Sequence, residues 1–197
     1  MTTRRDFLKT AGVLTAASAF LKPSDIFAQK NNPPKISKSK KLQLDWENFD
    51  GVMKFTFTVS GSSRKGTPIV ITRLSWCGET GYGEAAMPPY LGETQASVND
   101  FLKKVVENVL PKFDNPFCIQ DIMLAVDKLS TNNTAAKASV DIALHDLVGN
   151  IMKQPWWKMW GFDPAKAPYT SYTIGYDASD DMINTKLDEA NWNKIIK

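Results

Sequence analysis

Ala135-Ala136-Lys137-Ala138-Ser139-Val140-Asp141-Ile142-Ala143-Leu144-His145-Asp146-Leu147 is the most regular stretch of this chain. Val140, Ala143, Leu144, Leu147, Val148 and Ile151 recur at three- and four-residue intervals, which places them on one face of an α-helix. Thr134 stands where such a helix takes its N-cap. Upstream, Val98, Phe101, Leu102, Val105 and Val109 mark a second helix, which Pro111 stops. Between them a short helix carries Ile122, Val126 and Leu129 on its inner side. Downstream, Pro155 opens a single turn, Trp156-Trp157-Lys158-Met159-Trp160, and Gly161 ends it.

Toward the N-terminus the period changes from helical to alternating. Val52 to Val59 is rich in β-branched and aromatic residues and reads as a strand. Ser60-Gly61-Ser62-Ser63-Arg64-Lys65-Gly66 is a polar, glycine-bearing loop, and Ile69 to Leu74 is a second strand. The turn Cys77-Gly78-Glu79-Thr80-Gly81 leads into a third strand around Tyr82-Gly83-Glu84. Tight links between short strands predict an antiparallel three-stranded meander. Strands followed by helices make an α+β domain rather than a Rossmann unit.

After Ala167 the pattern changes again. Tyr169 to Gly175 reads as a strand, and Ser179-Asp180-Asp181 as a helix start with acidic residues at its positive end. Ile183, Leu187 and Ala190 form that helix's apolar face, and Ile195-Ile196-Lys197 opens another strand. Strand, helix, strand begins a βαβ series, and so short a series cannot bury a parallel sheet. The expectation is therefore a truncated barrel. The expected domains are a signal peptide at 1–28, a Lys/Asn/Ser/Pro-rich linker at 29–44, a capping domain at 45–165 and the first barrel strands at 166–197.

The 197 residues carry 24 basic and 21 acidic side chains, a net charge of +3. No basic stripe interleaved with aromatics accompanies that small excess, so a nucleic-acid partner is not expected. Cys77 and Cys118 are too few for a disulfide scaffold and read as free thiols, although an exported protein leaves one bridge open. The lone His145, on a helix beside core positions, reads as a packed residue, and one histidine with two distant cysteines does not make a zinc site. Asp141 and Asp146 read as solvated or structural. Glu84 is divided evenly between a cleft and local pairing, and Trp156, Trp157 and Trp160 read as packing residues.

The leader is more specific. Arg4-Arg5-Asp6-Phe7-Leu8-Lys9 precedes an apolar run from Ala11 to Leu21. That run is far short of the ~20 residues a spanning helix needs, so it reads as the core of a signal and not as a stable membrane anchor. Adjacent arginines followed by Phe-Leu-Lys resemble the twin-arginine motif. Ile26-Phe27-Ala28 offers a cleavage site, and periplasmic or otherwise exported localisation by the twin-arginine machinery follows.

Beyond the leader the chain resembles the enolase superfamily (mandelate racemase/muconate lactonizing enzyme-like), in which an α+β capping domain precedes a (β/α) barrel. Gly81-Tyr82-Gly83-Glu84-Ala85 resembles the family's strand-end sequence. Met87-Pro88-Pro89-Tyr90-Leu91-Gly92-Glu93-Thr94 resembles the specificity loop and helix start of its dipeptide epimerase branch. Ala135 to Leu147 resembles its last capping helix, and Gln154-Pro155-Trp156-Trp157 with Gly161 its turn into the barrel.

The resemblance implies Mg²⁺-dependent epimerisation of dipeptides of the L-Ala-D/L-Glu type, by proton abstraction next to a carboxylate. Within the same superfamily, muconate cycloisomerase or o-succinylbenzoate synthase chemistry is the alternative. A non-catalytic exported binding module is a further one. By resemblance, Lys197 matches the first lysine of a Lys-x-Lys pair on the second barrel strand, and Thr173 a first-strand threonine near the substrate. Arg64 matches a capping-loop arginine that binds a substrate carboxylate, and Tyr90 and Leu91 match pocket-lining positions. The metal carboxylates and the base are expected beyond Lys197, so this chain alone is expected to be inactive. Self-association into a homo-oligomer is left open.

A reporter fused behind residues 1–28 should be exported only while both arginines are present. Arg4→Lys with Arg5→Lys should abolish its export, and an unchanged extracytoplasmic yield would refute the twin-arginine reading.

Overall fold

The structure, a computed structural model, describes residues 40–176, 179–190 and 193–197. The leader and its cleavage site lie outside these residues. Two compact units are present. One comprises 40–51 and Pro68–Trp156; the other comprises Val52–Thr67 and the described residues from Trp157 to Lys197. Strands β1 (Gln43–Val59) and β2 (Ser62–Trp76) contribute to both, and β3 (Glu79–Ala86) belongs to the first. The three form one sheet in the order β1-β2-β3, as the meander predicts. The helices of the first unit are α1 (Gln95–Asn108), α2 (Ile119–Asp127) and α3 (Thr134–Met152).

Alternation along β2 decides what that unit buries. Val70, Thr72 and Leu74 are fully buried on one face. They pack with Val98, Phe101, Leu102 and Val105 of α1, Ile122 and Val126 of α2, and Val140, Ala143, Leu144 and Leu147 of α3. The helical stripes read from the sequence are thus the core. On the opposite face Ile71 packs with Phe49, Ile69 and Tyr82. There Arg73 Nη2 donates to Asp45 Oδ2 at 2.7 Å. Arg73 and Tyr82 are paired in register. Burial raises the Tyr82 phenol above its ordinary value; the Arg73 charge pulls it back and the Asp146 charge adds to the rise.

Helix α3 lies directly on β3 because two residues of that strand have no side chain. A Cβ on Gly81 would stand 2.2 Å from the Leu147 nitrogen and 2.3 Å from the Ala143 oxygen. One on Gly83 would stand 1.9 Å from the Ser139 oxygen and 2.8 Å from Thr72 Oγ1. Thr72 Oγ1 donates to that Ser139 carbonyl at 3.0 Å, so the hydroxyl it buries is satisfied. The outer edge of β3 is closed by side chains one turn apart on the same helix. Asp146 Oδ2 accepts the Tyr82 N–H at 3.0 Å, and Asn150 Nδ2 donates to the Thr80 carbonyl at 2.8 Å. These groups cover an edge that would otherwise offer itself for pairing.

Three boundaries differ from expectation. β1 starts at Gln43, well before Val52, and Leu42 and Leu44 of the expected linker stretch are buried. Most of the polar segment before Gly66 is strand: Val59 and Ser62 are joined across Ser60-Gly61, with Gly61 at φ 85°. Thr58 Oγ1 and Ser63 Oγ, 3.0 Å apart, bridge this turn. Finally, Thr134 is the first residue of α3 and not its cap. Its hydroxyl and the Ala135 N–H both donate to Glu93 Oε1, at 3.0 and 3.1 Å. A carboxylate from another segment thus satisfies the positive end of α3.

Gly83→Ala should destabilise the protein by about 3 kcal/mol or more, since backbone sits on the added methyl and cannot rotate away. Gly61→Ala meets open space and should cost only the left-handed backbone penalty, about 1–2 kcal/mol. Urea unfolding followed by far-ultraviolet circular dichroism compares them; equal midpoints would refute the close-packing account.

Candidate functional site

The residues named from the sequence as substrate contacts fall in both units. Tyr90 and Leu91 lie in the first, in a 3₁₀ turn at Pro89–Leu91 closed by Gly92 at φ 65°. Proline fixes the entry of this turn and glycine its exit. Tyr90 is 86% exposed and Leu91 40%. Arg64, Thr173 and Lys197 lie together in the second unit, which is built from the β1–β2 tip, α4 (Trp156–Met159, from Trp157 onward), β4 (Ser171–Tyr172), α5 (Asp180–Ala190) and β5 (Ile195–Ile196).

β4 and β5 are parallel, with Ser171 opposite Ile195 and Tyr172 opposite Ile196. The ladder continues one step. Lys197 N–H donates to the Tyr172 carbonyl and Ile174 N–H to the Lys197 carbonyl, each at 2.8 Å. This pattern sets Lys197 beside Thr173, and in a parallel pair registered neighbours carry their side chains on the same face. Both residues are exposed. The structure therefore brings these two sequence-named residues side by side at the ends of adjacent strands.

The tip approaches the same end of β4. Tyr176 N–H donates to the Thr58 carbonyl at 2.9 Å. Gly175 is buried beneath the tip, where a Cβ would meet the Thr58 nitrogen at 2.9 Å and Phe57 Cδ2 at 3.1 Å. The Arg64 guanidinium lies 5.6 Å from the centre of the Phe57 ring, within cation–π range. Arg64 thereby faces a ring that itself rests at Gly175, two residues beyond Thr173.

Sequence reading missed the groups that fasten this tip. Lys54 Nζ pairs with Glu189 Oε1 of α5. Lys186 is 5% exposed, its Nζ 3.4 Å from the Gly175 carbonyl and 5.7 Å from the Phe55 ring centre. A signal for Lys186 was present. It falls three residues after Ile183 and four before Ala190, inside the apolar stripe. The structure buries it and leaves the neighbouring Leu187 39% exposed. The helix start, by contrast, is as expected, with Ser179 Oγ accepting the Met182 N–H at 3.1 Å.

The other candidates lie in the first unit. His145 Nδ1 lies 2.9 Å from the Asp141 carbonyl oxygen, and its ring meets Trp156 edge-on at 4.6 Å. The Trp156 indole donates to the His145 carbonyl. Glu84 is exposed, and Cys77 and Cys118 are free thiols. Among the described residues no group of three or more His, Cys, Asp or Glu is arranged to hold a metal ion. No helix among them is long and apolar enough to cross a membrane.

Residues 49–161 match the mandelate racemase/muconate lactonizing enzyme N-terminal domain. The chain belongs to this family. Residues 1–20 match the twin-arginine translocation pathway signal sequence, as the leader predicts. The chain is 45% identical over 194 residues to an L-Ala-D/L-Glu epimerase of Bacteroides thetaiotaomicron, covering 96% of this chain and 49% of that one. It is 29% identical over 153 residues to an L-Ala-D/L-amino acid epimerase of Maribacter sp., covering 77% and 44%. The chain thus spans about half the length of the curated relatives it matches. A crystal structure of a dipeptide epimerase from Enterococcus faecalis, complexed with Mg and L-Leu-L-Tyr, superposes with a TM-score of 0.64 at 26% identity, covering 77% of this chain and 42% of that one. A Cytophaga hutchinsonii dipeptide epimerase, at 21% identity and a TM-score of 0.65, shares the fold, covering 77% of this chain and 41% of its own.

Gly175→Ala should push the tip away from β4 without touching the first unit's core. Trypsin should then cut after Arg64 or Lys65 about tenfold faster, given the loss of local protection, while α3 amides keep their hydrogen-exchange protection. An unchanged cleavage rate would show that the Gly175 contact does not hold the tip.

Proposed function

We propose that this chain supplies the substrate cap and the first barrel strands of a Mg²⁺-dependent dipeptide epimerase acting on dipeptides of the L-Ala-D/L-Glu type. In this reading it reaches the periplasm by the twin-arginine route. The observation that carries the proposal is the placement of Arg64 over Phe57, at the end of β4 where Thr173 adjoins Lys197. The identity to an L-Ala-D/L-Glu epimerase supports the choice of substrate class.

The chemistry assigns each residue a task. Arg64 presents a planar fork of donors suited to a carboxylate. Facing the Phe57 ring, it can pair with the acidic side chain of an Ala–Glu dipeptide. Lys197 places a cation, and Thr173 a hydroxyl, beside the reacting carboxylate. Tyr90 and Leu91, on their 3₁₀ turn in the first unit, correspond by resemblance to pocket-lining positions of the family. The lysines that move the α-proton belong, in this reading, to residues other than those described. Support for Mg²⁺ comes from the family resemblance and from the Mg-bound Enterococcus faecalis dipeptide epimerase structure. The described residues supply no ligand set for it, so none of these roles runs through the metal.

Arg64→Ala, tested in the gene's full product with L-Ala-L-Glu in deuterated water, should raise KM about tenfold or more, the order expected for one charge-assisted pair. A neutral dipeptide such as L-Ala-L-Leu should be almost unaffected. Equal losses on both substrates would remove Arg64 from the specificity role, and absence of α-proton exchange in the wild type would remove the epimerase assignment.

A further inference from the structure

The peptide unit between Gly175 and Tyr176 is held at both ends. Its N–H, on Tyr176, donates to the Thr58 carbonyl of the tip at 2.9 Å. Its carbonyl, on Gly175, accepts from Lys186 Nζ at 3.4 Å. Lys186 reaches this carbonyl from α5 at a position where the apolar period calls for a hydrophobic side chain, and it is 5% exposed there. Its ammonium also faces the Phe55 ring at 5.7 Å, while Phe57, on the same face of β1 two residues on, carries Arg64 at 5.6 Å. A buried ammonium is costly to desolvate, and an apolar residue of the same length is often at least as stabilising. Packing alone is therefore a poor reason for a lysine here. What an apolar residue cannot do is donate to the Gly175 carbonyl.

We infer that Lys186 is a positioning residue for the substrate-capping tip: by fixing the Gly175–Tyr176 peptide plane it aims the Tyr176 N–H at Thr58 and so sets where Arg64 stands. The charge also polarises the peptide, which strengthens the bond its N–H makes on the far side. The tip then does not swing from its base. Thr58 is pinned, and with it the base of the turn that carries Arg64. The inference rests on the reading of the tip as a substrate cap, but its test needs neither substrate nor turnover.

Hydrogen exchange on the chain reads the pinned amide directly. In Lys186→Met the Tyr176 amide should exchange about tenfold faster relative to the Leu144 amide of α3, because its acceptor geometry is no longer enforced. The Leu144 amide, measured beside it, reports any general loss of stability in the core separately. Lys186→Arg, which keeps a cationic donor, should restore most of the protection. A role in packing alone makes the opposite forecast: Met, with a similar unbranched stem, should retain protection and the bulkier Arg should lose it. An unchanged Tyr176-to-Leu144 ratio in Lys186→Met would overturn the proposal. Failure of the epimerase assay leaves this measurement readable, so the two hypotheses fail separately.

Discussion

The close approach of α3 to β3 is the constraint on which the first unit depends. Backbone lies against backbone at Gly81 and Gly83, with no room for a methyl group between them. That contact fixes the height of α3 above the sheet and therefore which of its residues reach which strand. Val140, Ala143, Leu144 and Leu147 enter the core, while Asp146 and Asn150, one step round the helix, reach the exposed polar edge of β3. A side chain at either glycine would lift the helix and break both sets of contacts at once. The buried Thr72 hydroxyl would also lose its partner on Ser139.

The second unit is held differently. Among its described residues only Gly175, Lys186 and Ala190 are buried, so an apolar core contributes little. Directional contacts do most of the holding: a peptide pinned at both ends, an ion pair between Lys54 and Glu189, and cations over Phe55 and Phe57. Contacts of this kind are few and local, and segments that rely on them open at lower free energy than a packed core does.

Legibility in the sequence followed the same division. The stripe from Val140 to Ile151, the stop at Pro111 and the meander were readable because helical and strand periods are local properties of the chain. The early start of β1 was overlooked although Leu42, Leu44 and Trp46 alternate with Gln43 and Asp45, because this short strand period directly follows the Lys/Asn/Ser/Pro-rich segment. The side-by-side placement of Thr173 and Lys197 depends on strand register, which no local pattern states for strands of two residues. Arg64 could be named by resemblance, but its ring platform on Phe57 could not. Lys186 was visible as a charge inside an apolar stripe; its partner, a backbone carbonyl, leaves no trace in side-chain identity.

The separation of the two kinds of contact bears on which residues of this chain are free to vary. β1 and β2 run through both units, yet the residues that anchor their inner halves are apolar and those that anchor the tip are charged, aromatic or backbone. A substitution at the exposed Arg64 changes a group with no share in the core of Val70, Leu74 and Phe101, so its cost to stability should resemble that of an ordinary surface change, within about 0.5 kcal/mol. The Gly81–Gly83 contact has no such freedom. Substitutions at the tip can therefore be made almost independently of the first unit's core, provided the peptide after Gly175 still holds Thr58 in place. The anchoring peptide, rather than the arginine it positions, is the part of this unit least free to change.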